Sequence, residues 1–353
     1  MRLTFILPGS GSYLSGGFKV VYEYANRFAQ DGFSVKIIYP MVITWKRYSL
    51  NYTVKRVYHY FRALLKSSYK PDWFKIDNRI KQIWLPYLSY YFIHKSDYIF
   101  ATGWETAVFL NGYHSNSIKK YYLIQSFEDW CGPREKVEAT WKYPMKKVVI
   151  SPWLKDIADR MGEESYLIEN GFDFESFHLM NSIENRNKFS VIMLYHEWEL
   201  KGSKVGIKAL EIVKIKKSQL RAILFGTPEP PKNLPEWITY HQSPPNLCKL
   251  YNTAAIYLGT SSCEGFSLTV GEAMQCGCAT VCTDIGGYKV VAEHGVTALL
   301  SPIGDAECLA KNIIRFLEDD GLRIKIARNG YDKIKEFTWE RAYNKLKDLI
   351  ETC

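Results

Sequence analysis

Short apolar runs alternate along this chain with longer stretches whose apolar positions recur at helical spacing. The runs suit strands buried on both faces, and the amphipathic stretches suit helices crossing between them. The pattern therefore predicts an α/β fold with parallel sheets. The first unit reads as a strand at 3–7, a glycine-rich loop, a helix over 18–30 and a strand at 34–39. Strands resume at 98–101, 120–125 and 147–150, where Ser151 and Pro152 read as the N-cap and first residue of a helix. A second run carries strands near 190–195, 221–225, 238–241, 255–258, 279–282 and 298–300. Between the runs, Asn170-Gly171 marks a turn within a crossing at 166–173. The last segment, 338–351, places Trp339, Ala342, Tyr343, Leu346 and Leu349 on one helical face. Residues 44–95 interrupt this order and read as a helical and irregular insertion.

With 353 residues the chain exceeds the size at which one core stops growing, so two domains are expected. No apolar run reaches the roughly 18 residues that span a bilayer. The apolar start at 2–8 is too short for a signal peptide and reads as a strand. The expected location is the cytoplasm, with peripheral attachment at the inner face of the plasma membrane. Of the eight cysteines, six in the second half (Cys248, Cys263, Cys276, Cys278, Cys282, Cys308) stand, before the terminal Cys353, at spacings that match neither a zinc ribbon nor a redox pair. They read as small buried hydrophobes, and the seven histidines form no metal cluster.

The net charge of +9 is unevenly placed: residues 46–95 hold eleven Lys or Arg against two Asp, an excess equal to that of the whole chain. Trp45, Tyr48, Tyr58, Phe61, Trp73, Trp84 and Tyr91 are among the aromatics interleaved with these cations. Such a stretch suits an anionic membrane surface, an extended glycan or nucleic acid, and equally a solvated basic face over an aromatic core.

The segment from Cys263 to Gly277, C-E-G-F-S-L-T-V-G-E-A-M-Q-C-G, is the most informative. A helix is expected to start near Ser267 and a buried strand to follow at 279–283. Free amides at a helix N-terminus attract an anion, and carboxylates such as Glu264 and Glu272 accept hydrogen bonds from hydroxyls. A nucleotide-activated sugar calls for both in one place. On a continuous helix eight residues rise about 12 Å, beyond the roughly 5–9.5 Å of a glycosidase acid/base pair. The two glutamates are therefore expected to have different roles.

Glu264-Gly265-Phe266, Glu272-Ala273-Met274, Gly286-Gly287 and Glu293-His294-Gly295, in this order, resemble the E-x7-E region of retaining glycosyltransferases of family 4, the glycosyl transferases group 1 enzymes. The resemblance covers the C-terminal half well and the N-terminal half loosely. It implies the GT-B architecture, two Rossmann-like domains facing a central cleft. An acceptor-side domain over 1–169 would take back the terminal helix 338–353, and 170–337 would bind the donor. Glu264 is then expected beside the transferred sugar and Glu272 on the ribose. The amides of Phe266, Ser267 and Leu268, following Gly265, would face the diphosphate. Lys201 matches a phosphate-binding lysine, while His196 stands where the family usually has arginine. An imidazolium could pair with phosphate, but neutral imidazole has one donor and no fork.

The loop before the first helix, G-S-G-S-Y-L-S-G-G, lacks the dinucleotide-binding spacing, and its Gly16-Gly17 pair resembles the family's glycine loop near donor and acceptor. Gln125 stands where many members carry histidine. The I-Q-x-F-E pattern around it, with Glu128 and Asp129 nearby, is similar to rhamnosyltransferases that build bacterial surface polysaccharides such as O-antigen and capsule. Base recognition is placed around Gly226-Thr227 and at Gln242. Glu264, Lys201 and Gln125 are the catalytic candidates. The implied reaction is a retaining transfer from a nucleotide diphosphate sugar to a growing glycan or lipid-linked saccharide, with no metal or other cofactor and no nucleic acid partner. A nucleotide-sugar 2-epimerase and a basic nucleic-acid-binding protein are the rival readings.

Overall fold

Leu3, Phe5 and Ile6 are fully buried in the middle of a parallel sheet in the computed structural model, which describes residues 1–43, 50–115 and 117–352. The strands of this first sheet are β1 (Arg2–Ile6), β2 (Ser34–Pro40), β3 (Lys81–Leu85), β4 (Tyr98–Ala101), β5 (Lys119–Ile124), β6 (Lys146–Val149) and β7 (Ser165–Leu167). Their order is β3-β2-β1-β4-β5-β6-β7, all parallel. The second sheet contains β8 (Ser190–Leu194), β9 (Arg221–Gly226), β10 (Ile238–Gln242), β11 (Ile256–Gly259), β12 (Ala279–Thr283) and β13 (Ala298–Ser301). Its order is β10-β9-β8-β11-β12-β13, again parallel throughout. Val191, Leu258 and Val281 from this sheet and Leu309, Ile313 and Phe316 from the helix Ala306–Glu318 are fully buried in one core.

The chain divides into one unit made of Met1–Glu169 with Ala342–Cys353, and a second made of Asn170–Arg341. In each sheet the strand order turns back beside one strand, β1 in the first and β8 in the second. In doubly wound sheets, ligands bind at the carboxyl edge beside that reversal. For the second unit this edge carries the segments that follow β8 and β11.

The terminal helix, Trp339–Thr352, ties the last residues to the first unit. Tyr343 lies edge-on to Phe28 with ring centroids 4.9 Å apart. The Tyr343 hydroxyl and Lys347 Nζ each donate to Asp31 Oδ2 at 2.7 Å. Trp339, Ala342, Tyr343, Leu346 and Leu349 are all buried, as their spacing predicts.

Two sequence expectations need correction. Residues 44–95 hold the expected helix, Leu50–Lys66, but are not merely an insertion, because they also supply the edge strand β3 of the first sheet. That strand begins with Lys81 and Gln82 and is half polar, which hid it among the basic residues. Much of the aromatic content here is core. Tyr69 and Trp84 are buried and stack at 5.6 Å, while Trp73 and Phe74 pack on Tyr22 at 5.6 and 5.4 Å. Trp45, Lys46 and Tyr48 lie outside the described residues. The second correction concerns Ser151. It holds the N-cap place of the helix Pro152–Arg160, but its buried hydroxyl makes no cap bond. Pro152 at the first position has no N–H to satisfy.

Candidate functional site

The segments after β8 and β11 are tied together at the carboxyl edge of the second sheet. Ser262 N donates to Leu200 O at 2.8 Å, and Thr260 Oγ1 donates to Lys201 O at 2.8 Å. Gly202 makes this approach possible. Its φ of +64° is left-handed, and a Cβ there would collide with the Thr260 carbonyl. The backbone so held places Lys201 Nζ 2.7 Å from Glu264 Oε1, and Ser261 Oγ donates to the same oxygen at 2.8 Å. Both charged side chains are about one-fifth exposed, at 22% and 21%. Ser261 is fixed in turn, since its amide donates to the buried Tyr288 hydroxyl at 3.3 Å and its carbonyl accepts from Thr283 Oγ1 at 2.5 Å. A Cβ on Gly287 would strike the Glu264 carbonyl, so the Gly286-Gly287 pair lets the two loops touch.

His196 follows β8 directly. Trp198 N donates to its Nδ1 at 2.9 Å, so that nitrogen is the acceptor and Nε2 carries the proton of the neutral ring. Burial, followed by the nearby Lys201 charge, lowers its pKa below the usual histidine value. At neutral pH His196 therefore offers one N–H rather than the imidazolium considered from the sequence.

Glu264 is in a loop, and the helix begins only at Leu268, running to Gln275 with Ser267 at the N-cap. The two glutamates are thus not on one continuous helix, and the 12 Å rise does not measure their separation. Among the described residues nothing accepts from the amides of Phe266, Ser267 or Leu268, and the Ser267 hydroxyl is buried without a partner. A set of orphan amides and a hydroxyl at a helix N-terminus is an anion cradle. Phe266 itself is buried against Phe172, with ring centroids 5.6 Å apart. Glu272 is buried in the helix, and its charge adds to the burial that raises the Tyr251 hydroxyl pKa.

Gly226 ends β9, and a Cβ there would collide with the Tyr195 carbonyl. Ser243 N donates to Gly226 O at 2.7 Å, and Gln242 Nε2 donates to Thr227 O at 3.3 Å. Thus Gly226 and Gln242 meet at the end of β9 and β10. Lys201, His196 and Glu264 meet at the ends of β8 and β11.

The remaining candidates lie in the first unit. Gly16 opens the helix Gly16–Gln30, and Gln125, just past β5, donates from Nε2 to Gly17 O at 3.1 Å. The other amide atom, Gln125 Oε1, is buried and unpartnered. The residues the sequence placed in an insertion hold the glycine loop: Gly11 N donates to Tyr69 O at 2.8 Å, and Trp73 Nε1 donates to Gly11 O at 3.1 Å. Nearby, Glu128 has a left-handed φ of +63° and accepts from Trp104 N, at the start of the helix Trp104–Asn111, at 2.7 Å. Burial outweighs that favourable bond and pushes the Glu128 carboxyl up to about 7.

Sequence reasoning singled out neither Ser261 nor the hydroxyl of Ser267, of which it used only the amide. The hydroxyl run Thr260-Ser261-Ser262 after an apolar strand was the available signal for the first. For the second it was the N-cap position itself. Among the described residues no group of three His, Cys, Asp or Glu is placed to hold a metal ion.

Residues 179–333 match the family model Glycosyl transferases group 1. The O-antigen chain mannosyltransferase B of Escherichia coli is 32% identical over 106 residues, which are 30% of this chain and 27% of that protein. A D-inositol 3-phosphate glycosyltransferase of Corynebacterium efficiens is 27% identical over 147 residues, 37% of this chain and 34% of that protein. The chain therefore matches about a third or less of these relatives' lengths. Among solved structures, a sucrose-phosphate synthase from Thermosynechococcus elongatus superposes with a TM-score of 0.76 at 17% identity, covering 99% of this chain and 98% of that one. HepE of Anabaena, solved with UDP-glucose, gives a TM-score of 0.74 at 16% identity and covers 100% of both chains. The shared architecture is GT-B.

Proposed function

We propose that this chain, a GT-B protein whose residues 179–333 match the glycosyl transferases group 1 family model, moves a sugar from a nucleotide diphosphate sugar to a glycan acceptor. The observation that carries the reading is the Lys201–Glu264 pair in the unit that also holds the orphan amides of 266–268. A cation, free amides and a hydroxyl-accepting carboxylate are what a glycosyl diphosphate presents partners for.

In this reading Glu264 holds hydroxyls of the transferred sugar and Glu272 those of the ribose. Lys201, the Nε2–H of His196 and the amides of Phe266, Ser267 and Leu268 meet the diphosphate charge, so no metal is called for. The anomeric carbon–oxygen bond to phosphate breaks, and the acceptor oxygen bonds to the same face. The acceptor proton passes to the leaving phosphate oxygen. Configuration is retained and no protein general base is needed. The first unit, with Gly16, Gly17 and Gln125, takes the acceptor side. The acceptor is a growing or lipid-linked bacterial surface polysaccharide, met at the cytoplasmic face of the membrane; the name of one relative, an O-antigen chain mannosyltransferase, supports the polysaccharide part of this reading.

The test is a thermal-shift panel of UDP-, GDP- and deoxythymidine-diphosphate-linked sugars, the rhamnose donor included, followed by transfer assays with the stabilising donor. Release of nucleotide diphosphate only when acceptor is present, unaffected by a chelator, is expected. Release without acceptor and with an epimerised product would assign the other reaction. Stabilisation by no donor would remove the proposal.

A further inference from the structure

The helix Leu50–Lys66 carries an apolar stripe that faces away from the domain. Arg56, Tyr60 and Ala63 form its half-buried inner edge, where Tyr60 stacks on Trp84 with centroids 6.2 Å apart. Val57, Tyr58, Phe61, Leu64 and Leu65 are instead 41–85% exposed. At 3.6 residues per turn these five fall within one arc of about 120°. Lys55, Arg62 and Lys66 fall together on the adjoining arc and are exposed. None of the three has an acidic partner among the described residues. From Trp45 to Pro71 the sequence holds seven Lys or Arg and no Asp or Glu.

We propose that this helix lies in the interface of an anionic phospholipid membrane, with Phe61 and Leu65 among the acyl chains and Lys55, Arg62 and Lys66 on the headgroups. Charge complementarity selects this occupant. A second copy docked stripe to stripe would bring two acid-free cationic flanks together. Nucleic acid would meet Val57, Leu64 and Leu65 where it needs cations, and a glycan gains little from exposed aliphatic side chains. An apolar arc flanked by cations is the arrangement that lowers free energy at a lipid surface. Among the described residues no helix is long and apolar enough to cross a membrane, so the contact is with one leaflet.

The experiment is flotation of the whole chain with vesicles of phosphatidylethanolamine and phosphatidylglycerol, beside neutral phosphatidylcholine vesicles. The wild type should float with the anionic vesicles only, and less so as salt rises. Neutralising the flank (Lys55→Gln, Arg62→Gln, Lys66→Gln) should weaken binding about a hundredfold and flatten the salt dependence. Phe61→Ser with Leu65→Ser should weaken it about tenfold or more while leaving Tm unchanged. A Leu65→Trp probe should shift its emission to the blue on anionic vesicles. No flotation of the wild type, equal flotation of both variants, or a dimer that the Ser substitutions dissolve would overturn the proposal. None of these readouts uses a sugar donor, so failure here and failure of the transferase reading are separable.

Discussion

Lys201 Nζ and Ser261 Oγ converge on one oxygen of Glu264, at 2.7 and 2.8 Å. Two candidates read from separate motifs, 63 positions apart, are therefore direct partners. The pair is partly solvated, so its own contribution to stability is small, on the order of 1 kcal/mol or less. Its value lies in orientation. The lysine is held at the sheet edge against the helix-start dipole that would otherwise repel it, and one carboxylate oxygen is already engaged.

Removing either member should therefore affect transfer more than folding. Glu264→Gln and Lys201→Met are each expected to lower kcat/KM by about a hundredfold or more, with Tm changed by only a few degrees. Ser261→Ala should cost less, about tenfold. Steady-state kinetics with the donor found by the panel decides this, and wild-type rates in Glu264→Gln would remove the carboxylate from the mechanism.

The neutral state of His196 predicts an unusual pH response. Because burial and Lys201 lower its pKa, the ring is uncharged at pH 7 and gains a proton only below the usual histidine range. Affinity for the nucleotide diphosphate should be flat around neutral pH and rise only as pH falls below the usual histidine range. His196→Gln should lose the rise, and His196→Arg should bind tightly throughout. Calorimetric titration at several pH values checks it, and a wild-type curve as flat as that of the Gln variant would count against the assignment.

Glu128 makes a prediction about stability. Its folded-state pKa, about 7, is raised above the unfolded value, so between the two the folded chain binds the extra proton. Stability should therefore fall as pH rises through that window, by on the order of 3 kcal/mol in total. Glu128→Gln should abolish this part of the slope. Denaturant midpoints measured from about pH 5 to 8 test it, and identical slopes for both proteins would refute the burial argument.

Gly287→Ala isolates the loop contact. Its backbone is not left-handed, so alanine adds no torsional strain, but its methyl would push on the Glu264 carbonyl. Transfer should drop about tenfold or more, while stability falls by only about 1–2 kcal/mol. Unchanged kcat/KM would mean that the loop yields without moving the carboxylate.

Much of this was legible in the linear pattern. The parallel strands showed as apolar runs, and the candidates Lys201 and Glu264, which the structure brings into contact, and the helix start at Ser267 stood out as motifs. Edge strand β3 was not, because Lys81 and Gln82 give it too little apolar signal and its pairing with β2 is set by tertiary contact. The Glu128–Trp104 bond was also hidden. It joins residues 24 apart, which meet only because β4 and β5 are neighbours and Glu128 takes a left-handed turn. The exposed stripe on the helix Leu50–Lys66 was visible only as composition, since exposure is a property of what packs on a surface.

The contact of Asp31 with Tyr343 and Lys347 spans more than three hundred positions, 312 and 316. A ribosome delivers Phe28 more than three hundred residues before the ring that shields it. The opening half of the polypeptide must wait, partly bare, while the middle is translated. A nascent chain arrested before residue 342 would lack the helix that covers Phe28 and would offer that ring to chaperones.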